Sequence, residues 1–107
     1  MDYKLISIEI EDLQNLRDFG GLDYDDGAEV VFDYMGLSSV DIRGIQKQGA
    51  GSRRMEIAVN DEKFLSSDVQ RLIGENVRLN SGKRITISVS DSDVSDVYVK
   101  RVPMSWS

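Results

Sequence analysis

Val77-Arg78-Leu79-Asn80-Ser81-Gly82-Lys83-Arg84-Ile85-Thr86-Ile87-Ser88-Val89 is the stretch that decides the fold class. Ile85, Ile87 and Val89 alternate with Thr86 and Ser88, the period of a strand with one buried face, and β-branched side chains favour that state. Val77 and Leu79 precede it. Between them, Asn80-Ser81-Gly82-Lys83 reads as a hairpin turn in which Gly82 supplies the positive φ that the local geometry requires.

Working back from this hairpin, Gly74-Glu75-Asn76 ends a helix that carries Phe64, Leu65, Val69, Leu72 and Ile73. Asn60 or Asp61 caps it, and Ser67 to Gln70 offers a later start if the first turn is irregular. Met55, Ile57 and Val59 alternate with Glu56 and Ala58 as a strand, preceded by the flexible turn Gln48-Gly49-Ala50-Gly51-Ser52. Val40, Ile42 and Ile45 suggest another strand, bent or bulged at Gly44. From about Asp26, the residues Val30, Val31, Tyr34 and Met35 form an apolar helical stripe closed by Gly36, and Leu22 to Asp26 reads as a polar connection.

Leu13 and Leu16 recur at helical spacing after Glu11-Asp12, and Gly20-Gly21 stops that segment. Ile6, Ile8 and Ile10 mark a first strand over residues 2 to 10. Forward of the hairpin, Ser90 to Asp93 turns the chain towards a last strand around Val97 to Val102, and Pro103 ends the pairing. These elements predict an α+β fold: a small mixed or antiparallel sheet of about five strands, roughly two or three short helices, and a C-terminal β-meander. No regular βαβ alternation points to a doubly wound sheet.

The 107 residues, with 40% hydrophobic and 30% charged side chains and a single proline, suit one domain spanning 1–107 with one core. There is no cysteine, hence no disulfide, thiol nucleophile or thiolate metal site. The N-terminus lacks the basic region and long apolar stretch of a signal peptide, and no apolar run reaches the ~20 residues that span a bilayer. A cytoplasmic protein without membrane contact is expected.

Charge divides the chain. Residues 9–41 hold ten acidic groups against the single basic Arg17, a net −9, whereas residues 43–84 hold nine basic groups against five acidic ones, a net +4. The whole carries −6. Gathered on one surface, the N-terminal carboxylates would steer a cationic partner and repel phosphates. The candidate partner-binding residues are Glu9, Glu11, Asp12, Asp23, Tyr24, Asp25, Asp26, Glu29 and Asp33. Tyr24 joins the acids as a possible aromatic anchor, and Trp106 is a second one. The opposing view is a solvated face balanced by the basic middle of the same molecule.

Chemistry is sparse. With no histidine, the Ser-His-Asp and Cys-His arrangements and all imidazole metal sites are excluded, although carboxylate or metal-assisted catalysis remains formally open. Asp23-Tyr24-Asp25-Asp26-Gly27 and Asp91-Ser92-Asp93-Val94-Ser95-Asp96 are oxygen-rich, but neither has the spacing of an EF-hand, so turns and caps are expected there. Gly49-Ala50-Gly51-Ser52-Arg53-Arg54 could cradle phosphate, yet it lacks the P-loop pattern and interleaved aromatic residues. No enzyme activity, cofactor or metal is expected, and direct nucleic acid binding is not favoured.

The reading is a non-catalytic protein-binding module whose acidic surface meets a basic protein. A sharper form is an inhibitor that imitates nucleic acid phosphates, since small viral inhibitors of nucleic-acid enzymes are similar in size and acidity. The alternative is a structural assembly subunit that forms a homo-oligomer. A monomer or homodimer is expected. No stretch carries a motif distinctive of a family.

Overall fold

The computed structural model describes residues 3–47, 52–90 and 100–101. In chain order these form β1 (Tyr3–Ile10), α1 (Leu13–Phe19), α2 (Tyr24–Ala28), a π-helical turn (Glu29–Tyr34), a 3-10 turn (Ser39–Asp41), β2 (Ile42–Lys47) and β3 (Arg54–Asn60). Then come α3 (Asp61–Phe64), α4 (Ser67–Leu72), β4 (Asn76–Arg78), β5 (Arg84–Val89) and β6 (Lys100–Arg101). This is an α+β domain whose antiparallel strands lie in the order β4-β5-β1-β3-β2-β6.

The four central strands, β5-β1-β3-β2, with helices in the β1–β2 and β3–β5 connections, form a split βαβ arrangement. Each connection leaves the sheet, crosses one face and returns beyond the neighbouring strand, so β1 ends up centred between β3 and β5. Register follows burial. Ile6 lies opposite Ile57 and Val89, Ile8 opposite Met55 and Ile87, and Ile10 opposite Ile85. Sliding any of these strands by one residue would turn its isoleucines away from the helices.

Val30, Val31, Met35 and Val69 pack from the helices onto this isoleucine face and close the core. On the other face of the sheet, Leu5, Ser7 and Ala58 are buried as well. The expected bulge in β2 is present, with the register shifting between Ile42 and Gly44.

Four expectations are corrected. The connection Leu22 to Asp26 is not merely polar loop: Asp23 is the N-cap of α2, and helix begins at Tyr24. The helix expected through residues 60–73 is two short ones. Ser66 takes extended backbone angles, and its hydroxyl donates to the Lys63 carbonyl at 2.6 Å, competing with the helical ladder. Leu65 falls in that break and is 71% exposed, so it is not on the apolar stripe. Val40 lies in the 3-10 turn before β2 and is 84% exposed.

The fourth correction concerns the expected C-terminal meander. β6 does not follow β5 as its neighbour but pairs with β2 at the opposite edge, Gly44 against Arg101 and Ile45 against Lys100. The place beside β5 is already taken by β1 on one side and β4 on the other. The remainder of the expected last strand, the 91–96 acidic run, the Gly49–Gly51 turn and Trp106 lie outside the described residues.

Candidate functional site

Local capping chemistry fixes two of the predicted acids, Asp23 and Asp26, before any partner is considered. The Asp26 backbone N–H donates to Asp23 Oδ1 at 3.1 Å, and the Asp23 N–H donates to Asp26 Oδ2 at 3.0 Å. This reciprocal box satisfies donors that the first turn of α2 would otherwise leave without partners. Asp26 is then buried against the turn between β4 and β5, where Lys83 Nζ donates to its Oδ2 at 2.6 Å and Ser81 Oγ lies 3.4 Å from its Oδ1. Lys83 also reaches Asp23 Oδ2 at 3.8 Å.

The same turn collects two further groups. Glu29 accepts the Asn80 backbone N–H through both carboxylate oxygens, at 3.1 and 2.9 Å. Gly82 has φ of +98°, and a β-carbon there would meet the Phe19 ring at 3.2 Å. The last residue of α1, the first turn of α2 and the start of the π turn therefore converge on one hairpin.

The other acids gather at the adjoining strand ends. Glu9 pairs with Arg53 at 3.4 Å, and the Glu11 N–H donates to the Arg84 carbonyl, next in sequence to Lys83. Glu11 also accepts from the Asn76 side chain at 3.4 Å, and the following Asp12 is exposed. Leu22, ahead of α2, bridges to Ser52, which precedes the Arg53 that holds Glu9.

The candidate residues thus share one end of the sheet, but in unequal roles. Asp26 is buried and spent on Lys83, so it offers nothing to a partner surface. Glu9 and Glu29 are half-buried and hold the fold, and Tyr24 packs half-buried against the core. Glu11, Asp12, Asp23, Asp25 and Asp33 remain exposed, Asp33 one turn further along at the π-helical segment. Asp41, from the same acidic third, is withdrawn too: its Oδ2 accepts from the Ser38 N–H and hydroxyl, and its Oδ1 accepts from Asn60.

The described parts of two other candidate sites have structural roles. Asp23 and Asp26 of the oxygen-rich loop face an ammonium group, which repels a cation from the same oxygens. Among the described residues, no group of three or more acids is placed to hold a metal ion. Of the arginines in the glycine-rich loop, Arg53 holds Glu9 and Arg54 donates to Ser7 Oγ at 2.7 Å across the sheet.

Phe19 and Lys83 were not singled out from sequence. Phe19 continues the three-residue spacing of Leu13 and Leu16 but sits directly before the Gly20-Gly21 stop, and nothing local distinguishes Lys83 from the other cations of the basic middle. Among the described residues, no helix is long and apolar enough to cross a membrane. No protein-family model matches this chain, and no curated protein or solved structure matches it.

Proposed function

We propose that the chain is a non-catalytic protein-binding module that receives a basic protein surface at the acidic end of its sheet. Asp23 and Asp25 supply the central charges, Glu11 and Asp12 the flanking ones, and Phe19 the apolar contact. The observation that carries this reading is the rigid presentation of Asp23 and Asp25. Asp23 at the N-cap and Asp25 on the first turn of α2 are both exposed, and the backbone there is held by the capping box and by the buried Asp26–Lys83 pair. Charges fixed in place before binding lose little conformational entropy when a partner arrives.

Phe19 supports the same surface. Its ring lies against Gly82 of the turn that Lys83 ties to Asp23, and it is 43% exposed. A large apolar side chain among like charges is the composition of a recognition patch rather than of a plain solvated face. The field of the carboxylates accelerates encounter, and the ring adds desolvated contact.

The test uses an arginine-rich peptide as the basic probe, titrated by calorimetry. The double variant E11K/D25K, which spares the Asp23 cap, is expected to weaken binding by about tenfold or more while circular dichroism stays unchanged and the denaturation midpoint shifts little. A control, E62K/D68K, changes net charge equally at exposed positions of α3 and α4 and leaves affinity near that of the parent. Equal loss in both variants means generic charge attraction and overturns the assignment of the site.

A further inference from the structure

β4 is the outer strand at one edge of the sheet, and among the described residues no strand lies beyond it. In an antiparallel pair the backbone groups of alternate residues point to the partner strand. The Ile87 N–H donates to the Glu75 carbonyl at 3.2 Å and the Leu79 N–H to the Lys83 carbonyl at 2.8 Å, so Glu75, Val77 and Leu79 face β5. The N–H and C=O groups of Asn76, Arg78 and Asn80 therefore point outward, where a further strand would pair.

Two of these outward groups are already taken, both by the π-helical turn. Its first residue, Glu29, accepts the Asn80 N–H through both carboxylate oxygens, and its last, Tyr34, donates its hydroxyl to the Arg78 carbonyl at 2.6 Å. In a regular α-helix of 3.6 residues per turn, side chains five apart point about 140° away from each other. Here the Met35 N–H donates to the Val30 carbonyl five residues back, at 2.9 Å, and this wider turn brings Glu29 and Tyr34 to the same side, facing β4. Val30, Val31 and Met35 stay in the core throughout.

The side chains of this edge add a second obstacle. Arg78 lies directly opposite Arg84 on β5, both exposed, and neither has an ion-pair partner among the described residues. Like charges in direct cross-strand register destabilise a sheet. This occurs in a protein of net charge −6, where carboxylates are abundant. A second copy paired edge to edge about a two-fold axis would bring its own Arg78 and Arg84 onto the same face of the enlarged sheet. Charged side chains on edge strands discourage such pairing.

We propose that the π turn and the arginine pair form a guard that keeps β4 from pairing with a second copy of this chain. Glu29 and Tyr34 occupy the Asn80 donor and the Arg78 acceptor and stand where an incoming strand would lie, while the arginines repel their counterparts on that strand. The guard accounts for two otherwise separate features, a π turn in place of a regular helix and like charges in direct register.

The experiment measures mass by light scattering and amide hydrogen exchange of the full chain from micromolar to millimolar concentration. In the parent, exchange of the Asn76 and Arg78 amides is expected to be independent of concentration. E29A/Y34F/R78T, which removes both parts of the guard, is expected to double in mass as concentration rises, and the amides of residues 76, 78 and 80 then slow by about tenfold or more. Y34F/R78T, the milder variant should the triple one lose its native circular dichroism, associates in the same way at higher concentration. E62A/K63T makes the same change of charge at exposed positions of α3 and behaves as the parent. The proposal is overturned if the folded guard variants keep the mass of the parent, or if they associate without slowing these amides. It is equally overturned if E62A/K63T associates as they do, or if the parent itself slows these amides on concentration.

Discussion

Lys83 Nζ lies 2.6 Å from Asp26 Oδ2, and the two side chains are only 6% and 5% exposed. This ion pair joins the first turn of α2 to the turn between β4 and β5, elements far apart in the chain. Desolvating both charges offsets much of their attraction, so the pair stabilises little relative to a well-packed apolar substitute. Its effect is on placement: an ammonium left without its carboxylate in that turn is strongly unfavourable, which penalises any other docking of α2.

Removing one partner is therefore expected to cost far more than removing both. K83M, which leaves the Asp26 carboxylate buried and unpaired, is expected to destabilise the fold by about 3–5 kcal/mol in urea denaturation. The double variant D26L/K83M recovers most of that loss, less about 1 kcal/mol for the missing half of the capping box. Additive losses would show that the two groups do not act as a pair.

Gly82 is expected to resist substitution for two separable reasons. G82A forces an L-residue into φ of +98° and brings its β-carbon to 3.2 Å from the Phe19 ring. The backbone part costs about 1–2 kcal/mol. Measuring G82A in the parent and in an F19A background separates the two terms, with a smaller loss expected once the ring is gone.

Asp41 holds the entry to β2. D41A removes the acceptor for Ser38 N–H, Ser38 Oγ and the Asn60 side chain. A loss of about 1–3 kcal/mol is expected, as for a buried network deprived of its charged member. Hydrogen exchange should rise first at the 3-10 turn and the start of β2. Uniform acceleration across the sheet would contradict this local role.

Tyr34 can be tested without disturbing its ring. Y34F removes only the hydrogen bond to the Arg78 carbonyl, with an expected cost of about 0.5–1.5 kcal/mol by denaturant titration. The β4 amides should lose protection, since this edge strand has just three residues.

Much of the fold was legible because burial imposes its period on the sequence. Ile6, Ile8 and Ile10, Met55, Ile57 and Val59, and Ile85 and Ile87 alternate because one sheet face meets the helices. Gly82 and Gly44 could be read as turn and bulge for similarly local reasons. The break at Ser66 was legible only in part: Ser67 to Gln70 could be read as a later helix start, and α4 does begin at Ser67, but Leu65 fits an apolar stripe by spacing, and the Ser66 hydroxyl bonded to Lys63 shows that the helix stops before it.

The acidic third was legible as charge but not as surface. From sequence, Asp23, Asp25 and Asp26 are equivalent carboxylates in one run. In the structure Asp26 is buried on Lys83, Asp23 caps the helix and touches the same lysine, and Asp25 points to solvent. These differences depend on which long-range neighbour the turn at residues 79–83 places beside each oxygen.

The amino-acid sequence determined the features that repeat or end within a few residues: strands, helix stops, the hairpin glycine and the α+β class. Tertiary structure alone decided that β6 joins β2, that Asp26 finds Lys83, and that Tyr34 stands beside Arg78. The reason is physical: backbone preference and one-sided burial act on near neighbours, whereas partners for charges and edges are chosen by the packing of the whole chain.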